Sequence, residues 1–314
     1  VAPPVPVSKP SDRYVIFDNA TFLQSSGLDK QNKPQSVRRP GTLSTEVDYK
    51  LSSNAFYAEQ YAKNFPIYDR LKKYADSPIM VDMTATRVTT DRVRLDIEVG
   101  ISKMLCTRAN YPSAGKVQLS NGSTSWAYSS STPISTDLLN GKNYVFGACQ
   151  MPANKLIVNY TSAQVLSQNP DYLNRIRYAG EKGLTYGGLF PLVFGLEPIE
   201  ARPQYLTSAE GVTETFGMVW VDDQGENIAI VAYVNDTMPS LWETTLALQF
   251  DAEDDTINTH DFAIARWREE NRQLERVECR VTRDWAPIAV DGSTNGWNSN
   301  GYIQAGYLIS GTNL

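Results

Sequence analysis

The chain is poor in the residues that most catalytic and metal sites require. A single histidine, His260, stands among 314 residues. Nothing around it supports a nucleophile–base pair or a histidine-rich zinc site. The three cysteines, Cys106, Cys149 and Cys279, lie far apart without the paired spacing of a zinc site or a small disulfide scaffold. They read as buried reduced thiols. No apolar run is long enough for a transmembrane helix, and the proline-rich Val1–Pro10 lacks the apolar core of a signal peptide. The first residue is Val1 rather than methionine, which leaves open whether an upstream segment is removed. Basic charge is short as well. Twenty-nine Lys and Arg against 35 Asp and Glu give a net charge of −6, which weighs against sequence-independent nucleic-acid binding through a basic face. There is no Gly-Lys-Ser/Thr phosphate loop and no dinucleotide fingerprint after a strand. No cofactor or metal is implied, and no nucleophile–base–orienter set can be assembled, so the composition does not point to an enzyme.

What is present is an ordinary globular composition, 41% hydrophobic and 20% charged, with length for one large or two medium domains. The richest stretch is residues 154–206. Lys155–Asn159 reads as a short buried strand. Thr161 with Gln164 has the spacing of a helix capping box. Asn169-Pro170 starts a second helix, with Tyr172, Leu173 and Ile176 on its apolar face and Gly180 as its stop. An apolar run then ends at Gly195, and a strand continues through Ile199.

Elsewhere the pattern predicts an edge strand at Tyr14–Phe17 after a proline-rich tail. Alternating Val47, Tyr49 and Leu51 predict a long hairpin with a loose tip that carries Lys30, Lys33, Arg38 and Arg39. Such a ribbon cannot bury its own faces and needs a partner surface. Arg92–Val99 alternates like a strand. Val81, Ala85, Val88, Leu95 and Val99 instead form one helical stripe, and Val93, Ile97, Ile101 and Leu105 another. Periodicity alone leaves this segment undecided. A helix is predicted around Pro133–Gln150, weakened by Gly141 and Gly147. Strands are predicted at Gly211–Trp220, Asn227–Val234, Phe262–Trp267, Leu274–Val281, Trp285–Val290 and Gly306–Ile309, with a turn at Asp222–Gly225. There is no repeat of solenoid period.

The order of these segments resembles the major capsid proteins of tailed bacteriophages, which have the Hong Kong 97-type fold. The resemblance runs over about residues 7–309. It rests on VSKPSDRYVIFDNATF (Val7–Phe22), on RRPGTLSTEVDYKLS from Arg38, and on the Pro66–Pro78 lead-in to a long helix. Further matches are Ala153–Leu156, Asn169–Tyr178, Val193–Leu196, the Ala-Tyr-Val at the end of NIAIVAYV, and a C-terminal pattern from Arg266 to Ile309. It settles the undecided segment as a helix, the spine of the fold. Asp291–Gly301 departs from the pattern and reads as a surface insertion.

The resemblance implies an α+β chain with an N-terminal arm (1–20) and an extended loop (21–65). A peripheral domain (66–151 and 255–285) would carry the spine helix, and an axial domain (152–254 and 286–314) would complete the subunit. Function would be self-assembly into hexamers and pentamers of an icosahedral virion shell, built in the host cytoplasm around double-stranded DNA without sequence-specific binding. Partners would be copies of the chain, with decoration, scaffolding and portal proteins, and no membrane. Expected intersubunit residues are Tyr14, Phe17, Lys30, Lys33, Arg38, Arg39, Pro40 and Gly41. Lys30 and Lys33 sit in the loop where some members form a covalent cross-link, but no partner Asn or Glu matches by motif.

The main rival is a secreted or surface-exposed carbohydrate-binding or adhesion protein. It draws on four Asn-x-Ser/Thr sequons (Asn19, Asn121, Asn159, Asn235) and on Trp126 and Trp297 in polar loops. Sequons arise by chance in a chain this rich in Ser, Thr and Asn. A double-barrel capsid fold of tailless viruses would need two sets of eight short strands, against which the helix-start signals at Thr161 and Asn169 count. The acidic run Asp251–Asp255 lacks calcium-loop spacing and reads as a solvated connection.

Overall fold

A computed structural model describes residues 1–16, 41, 52–74, 80–119, 125–127, 134–179, 192–236, 244–253, 260–290 and 301–312. The strands are β1 (Pro4–Val7), β2 (Ser11–Ile16), β3 (Ser52–Tyr57), β4 (Glu59–Tyr68), β5 (Lys116–Gln118), β6 (Lys155–Asn159) and β7 (Glu197–Ala201). They continue with β8 (Gln204–Leu206), β9 (Phe216–Met218), β10 (Ile228–Ala232), β11 (Ala247–Ala252), β12 (Ala263–Glu269), β13 (Leu274–Pro287) and β14 (Gly306–Ser310). The helices are α1 (Asp69–Tyr74), α2 (Val81–Cys106), α3 (Ile134–Cys149), α4 (Tyr160–Gln168) and α5 (Pro170–Ala179).

The undecided segment is the 26-residue helix α2. Its buried stripe is Ala85, Thr89, Val93, Ile97 and then Leu105, close to the second of the two stripes read from sequence, whereas Val88 of the first is exposed. The threonines that lower its propensity are accommodated by back-bonding. The Thr86, Thr89 and Thr90 hydroxyls donate to the carbonyls four residues earlier, at 3.0, 2.9 and 2.9 Å. Gly100 lets this helix approach β13. A Cβ there would stand 2.6 Å from Cζ3 of the Trp285 indole.

One sheet is organised around β13, whose fourteen residues serve both edges. β4 covers one edge from Leu274 to Arg283. The other edge pairs first with β12 and then, from Thr282 to Pro287, with β11. β1 closes the sheet by pairing in parallel with β11. The second sheet runs β5-β14-β10-β6-β7. Every residue of β6, β10 and β14 is buried. Both faces are covered, which explains the unbroken apolar run of Ile228–Ala232. Ile157, Ile228, Ile230 and Leu308 face a core shared with α2 and with Cys279, Val281 and Trp285 of the first sheet. Leu156, Val158, Ala229, Val231 and Ile309 face α3 and α4 through Leu138, Val145 and Leu166. Gly141, read from sequence as a weak point, permits this packing: its Cβ would meet Val231 and Tyr307 at 3.0 Å.

Several expectations are corrected. Helix α4 is capped not by Thr161 but by Asn159, whose side chain accepts from the Ser162 N–H at 2.8 Å. Asn159 also donates to the Trp220 carbonyl and is wholly buried, so no glycan can sit there. Residues 4–16 find partners within their own chain: β1 on β11, and β2 on β3. Val5, Tyr14, Ile16 and Phe56 then close over Leu248 and Phe250, with Phe56 stacked on Phe250 at 4.2 Å. The divisions at 65/66 and 285/286 fall inside the single strands β4 and β13. Helix α3 packs with the second sheet and β11 with the first, so each leaves the segment assigned to it. Asp251 is no solvated residue. It lies buried in β11, where the Arg283 guanidinium pairs with it at 2.9 Å.

Trp126 is 1% exposed and donates from its indole N–H to the Asp137 carboxylate at 2.9 Å, which removes it from any sugar platform. Val47, Tyr49, Leu51, Trp297 and most of the 291–301 insertion lie outside the described residues. No helix among the described residues is long and apolar enough to cross a membrane.

Candidate intersubunit surfaces

Of the eight residues expected at subunit contacts, Phe17, Lys30, Lys33, Arg38, Arg39 and Pro40 lie outside the described residues. Gly41 is an exposed turn residue at φ +85° with nothing within 4 Å of a Cβ position. Tyr14 is corrected. It is 8% exposed, its ring packs 5.3 Å from that of Phe250, and its hydroxyl accepts from the Asn54 amide at 3.2 Å. It is a core residue of its own subunit.

Two other elements stand out because neither is self-sufficient. The first is α1, a six-residue helix that buries none of its residues. Isolated helices of this length are not stable in water. It is tethered by ion pairs at its flanks. Arg268 grips Asp69 through two hydrogen bonds of 3.1 and 2.7 Å, which holds the Asp69 carboxyl below its ordinary range. Lys72 bridges Asp82 and Glu275 at 3.2 and 3.3 Å. Around it, Tyr68, Leu71, Tyr74 (70%), Met80 and Met83 (65%) are exposed. Arg70 and Lys73 make this patch basic, and Lys73 stands 5.6 Å above the Tyr74 ring.

The second is the ribbon of β8 and β9, which among the described residues pair only with each other. A lone two-stranded ribbon is marginal in water. Tyr205, Leu206, Val212 (63%) and Phe216 (62%) are exposed along it, and so are Glu210 and Glu214. Its root is firm. Asp222 accepts the backbone N–H groups of Gln224 and Glu226 through one oxygen, at 2.9 and 2.8 Å, forming the turn foreseen at Asp222–Gly225. Arg108, just after α2, then clamps Asp222 and Glu226, each at 2.6 Å. No sequence signal marked Arg108. Between this root and the C-terminal part of α2 lies a groove of about 460 Å³, lined by Val99, Lys103, Tyr205, Met218 and Asp223 among others.

The three cysteines are buried and unpaired with one another, and burial pushes the Cys149 thiol to about 12 and Cys106 well above its ordinary value. Such thiols are unreactive. Among the described residues, no three His, Cys, Asp or Glu side chains gather as a metal-binding group.

Comparison with known proteins puts this architecture in a class. No family model matches the sequence, and no curated protein matches it. Solved structures do. A phage-related protein from Bordetella bronchiseptica RB50 is similar with a TM-score of 0.68 at 18% identity, over 100% of this chain and 90% of that one. A chain of the bacteriophage PhiM1 mature capsid gives a TM-score of 0.55 at 10% identity, over 100% and 86%. The holo-SrpI encapsulin complex of Synechococcus elongatus PCC 7942 gives 0.50 at 9% identity, over 99% and 85%. The chain therefore has a mixed α+β fold shared along its whole length with these chains, a phage capsid chain among them. That fold is the phage-capsid fold, of the Hong Kong 97 type that the sequence motifs resemble.

Proposed function

We propose that this chain is a major capsid protein of a tailed bacteriophage, assembling as hexamers and pentamers into a closed icosahedral shell around double-stranded DNA. The observation that carries the reading is the likeness of essentially the whole chain to phage capsid chains. Elements that cannot cover themselves, α1 and the β8–β9 ribbon, support it independently. The role is structural rather than catalytic.

In this reading the peripheral part is α2 with the β13 sheet, and the axial part is the second sheet with α3, α4 and α5. The end of the arm at Phe17 and the loop carrying Lys30, Lys33, Arg38, Arg39, Pro40 and Gly41 would lace neighbouring subunits. Each subunit in a shell makes several interfaces. A single stable one buries on the order of 1,600 Å² in total, and modest contacts repeated around a ring and between rings add up to a durable lattice. A net charge of −6 gives the lining no strong grip on DNA, which suits a container that is filled and emptied. Decoration, scaffolding and portal proteins are the further partners, in the virion and during assembly in the host cytoplasm.

The carbohydrate-binding rival loses Trp126 to the core and Asn159 to a buried cap. Electron microscopy of the purified chain tests the proposal. Closed angular shells are expected, and shells recovered from the producing host should protect double-stranded DNA from nuclease. A stable monomer of 35.0 kDa at high concentration would refute shell building. Shells that protect only protein would leave the shell and remove the DNA.

A further inference from the structure

The two uncovered elements sit at opposite ends of one helix. Lys72 of α1 contacts Asp82 in the first turn of α2. The β8–β9 ribbon borders the groove at Val99 and Lys103, near its other end. From Asp82 to Val99 and Lys103 the helix rises by roughly 26–32 Å at 1.5 Å per residue. One subunit therefore cannot bring its own two patches together. Their chemistry is complementary. The α1 patch offers Tyr68, Leu71, Tyr74, Met80 and Met83 with the cations Arg70 and Lys73. The ribbon offers Leu206, Val212 and Phe216 with the carboxylates Glu210 and Glu214.

Two different, mutually complementary patches on one chain define a head-to-tail contact, which closes into rings when its rotation allows. Opposite charge at the rim of an apolar contact steers approach and fixes register. We propose that the ribbon of one copy docks on the α1 face of the next, and that this contact is one of those that build the shell. The inference rests on the shell reading above and specifies which surfaces mate.

Three full-length variants test it beside the wild type, by light scattering and electron microscopy at low salt. Arg70→Glu with Lys73→Glu, and separately Glu210→Lys with Glu214→Lys, place like charges face to face. Each should lower the assembled fraction about tenfold or more, while circular dichroism stays that of the wild type and the melting temperature that of the unassembled wild-type subunit. The chain carrying all four substitutions should recover assembly, since each α1 face then meets a ribbon of opposite sign. If the wild type assembles and the double variants assemble as well as it does, the pairing is overturned and the shell reading stands. If both double variants fail and the fourfold variant does not recover, the two faces are not mates. A wild type that remains monomeric overturns the shell reading and this pairing together.

Discussion

At the residue scale, much of this subunit's stability is set by how buried polar groups are satisfied. Asn159 caps α4 and ties it to the Trp220 carbonyl, and Arg108 binds two carboxylates at the ribbon's root. Asp137 is less well served. It lies in the first turn of α3, accepts from the Trp126 indole, and has its carboxyl raised above the usual 3.8 by burial, the indole hydrogen bond opposing. The sign of the pH effect follows. Between 3.8 and the raised folded value, the folded chain holds a proton that the unfolded chain has released. Stability contributed at this site therefore falls as pH rises through that window. Asp137→Asn keeps an acceptor for Trp126 without the ionisation, so its urea midpoint should gain on the wild type as pH rises from 3.8. Parallel profiles for the two chains would show that burial of this carboxylate costs nothing.

At the scale of elements, β1 shows how a sheet edge is finished. Its odd positions face β11, since the Pro3 and Val7 carbonyls accept from Gln249 and Glu253 at 3.1 and 3.2 Å. Pro4 and Pro6 then face outward, where a proline removes the N–H that another strand would need. The strand is a seal as well as a pairing partner. Removing residues 1–7 should uncover the edge of β11 and the apolar Leu248–Phe250 cluster. The truncated chain is expected to melt lower and to form irregular aggregates, seen as rising light scattering on gentle warming. A truncated chain as soluble and as stable as the parent would show that β1 seals nothing.

Legibility in the sequence also varied by element. Strands β6, β10 and β14 and helices α3 and α5 were readable because their patterns reflect burial of a local stretch. Helix α2 was not, since its alternating Arg92–Val99 fits both periods. Its stripe is chosen by the residues it meets in both sheets, such as Ile67 and Val277 in one and Ile230 and Leu308 in the other. The candidate contact surface was legible only as a principle, a chain with surface left over. Tyr14 looked like an arm residue because Phe250, its partner, is 236 positions away in the chain. The exposure of α1 and of the ribbon carries no local signal, because an exposed tyrosine and a buried one are spelled alike.

At the scale of the whole molecule, α2 lies between both sheets, and one apolar core joins Val93 and Ile97 to Ile230 and Leu308 on one side and to Cys279 and Trp285 on the other. A chain built this way should not lose one sheet while keeping the other. In urea, tryptophan fluorescence and far-ultraviolet circular dichroism of the unassembled subunit should trace a single coincident transition. Two separated transitions would mean that the sheets are independent units and that the core around α2 couples them weakly.

The sequence alone determined what its local chemistry encodes: which stretches bury, where α5 begins at Asn169-Pro170, and an order of segments like that of phage capsid proteins. These survive because each depends on neighbours a few residues apart. Only the tertiary structure decided that the first sixteen residues seal their own sheet, that Gly100 and Gly141 are points of close approach, and that α1 and the β8–β9 ribbon are left exposed toward opposite ends of α2. Each of those facts depends on residues distant in the chain arriving at one place, and packing sets that arrival.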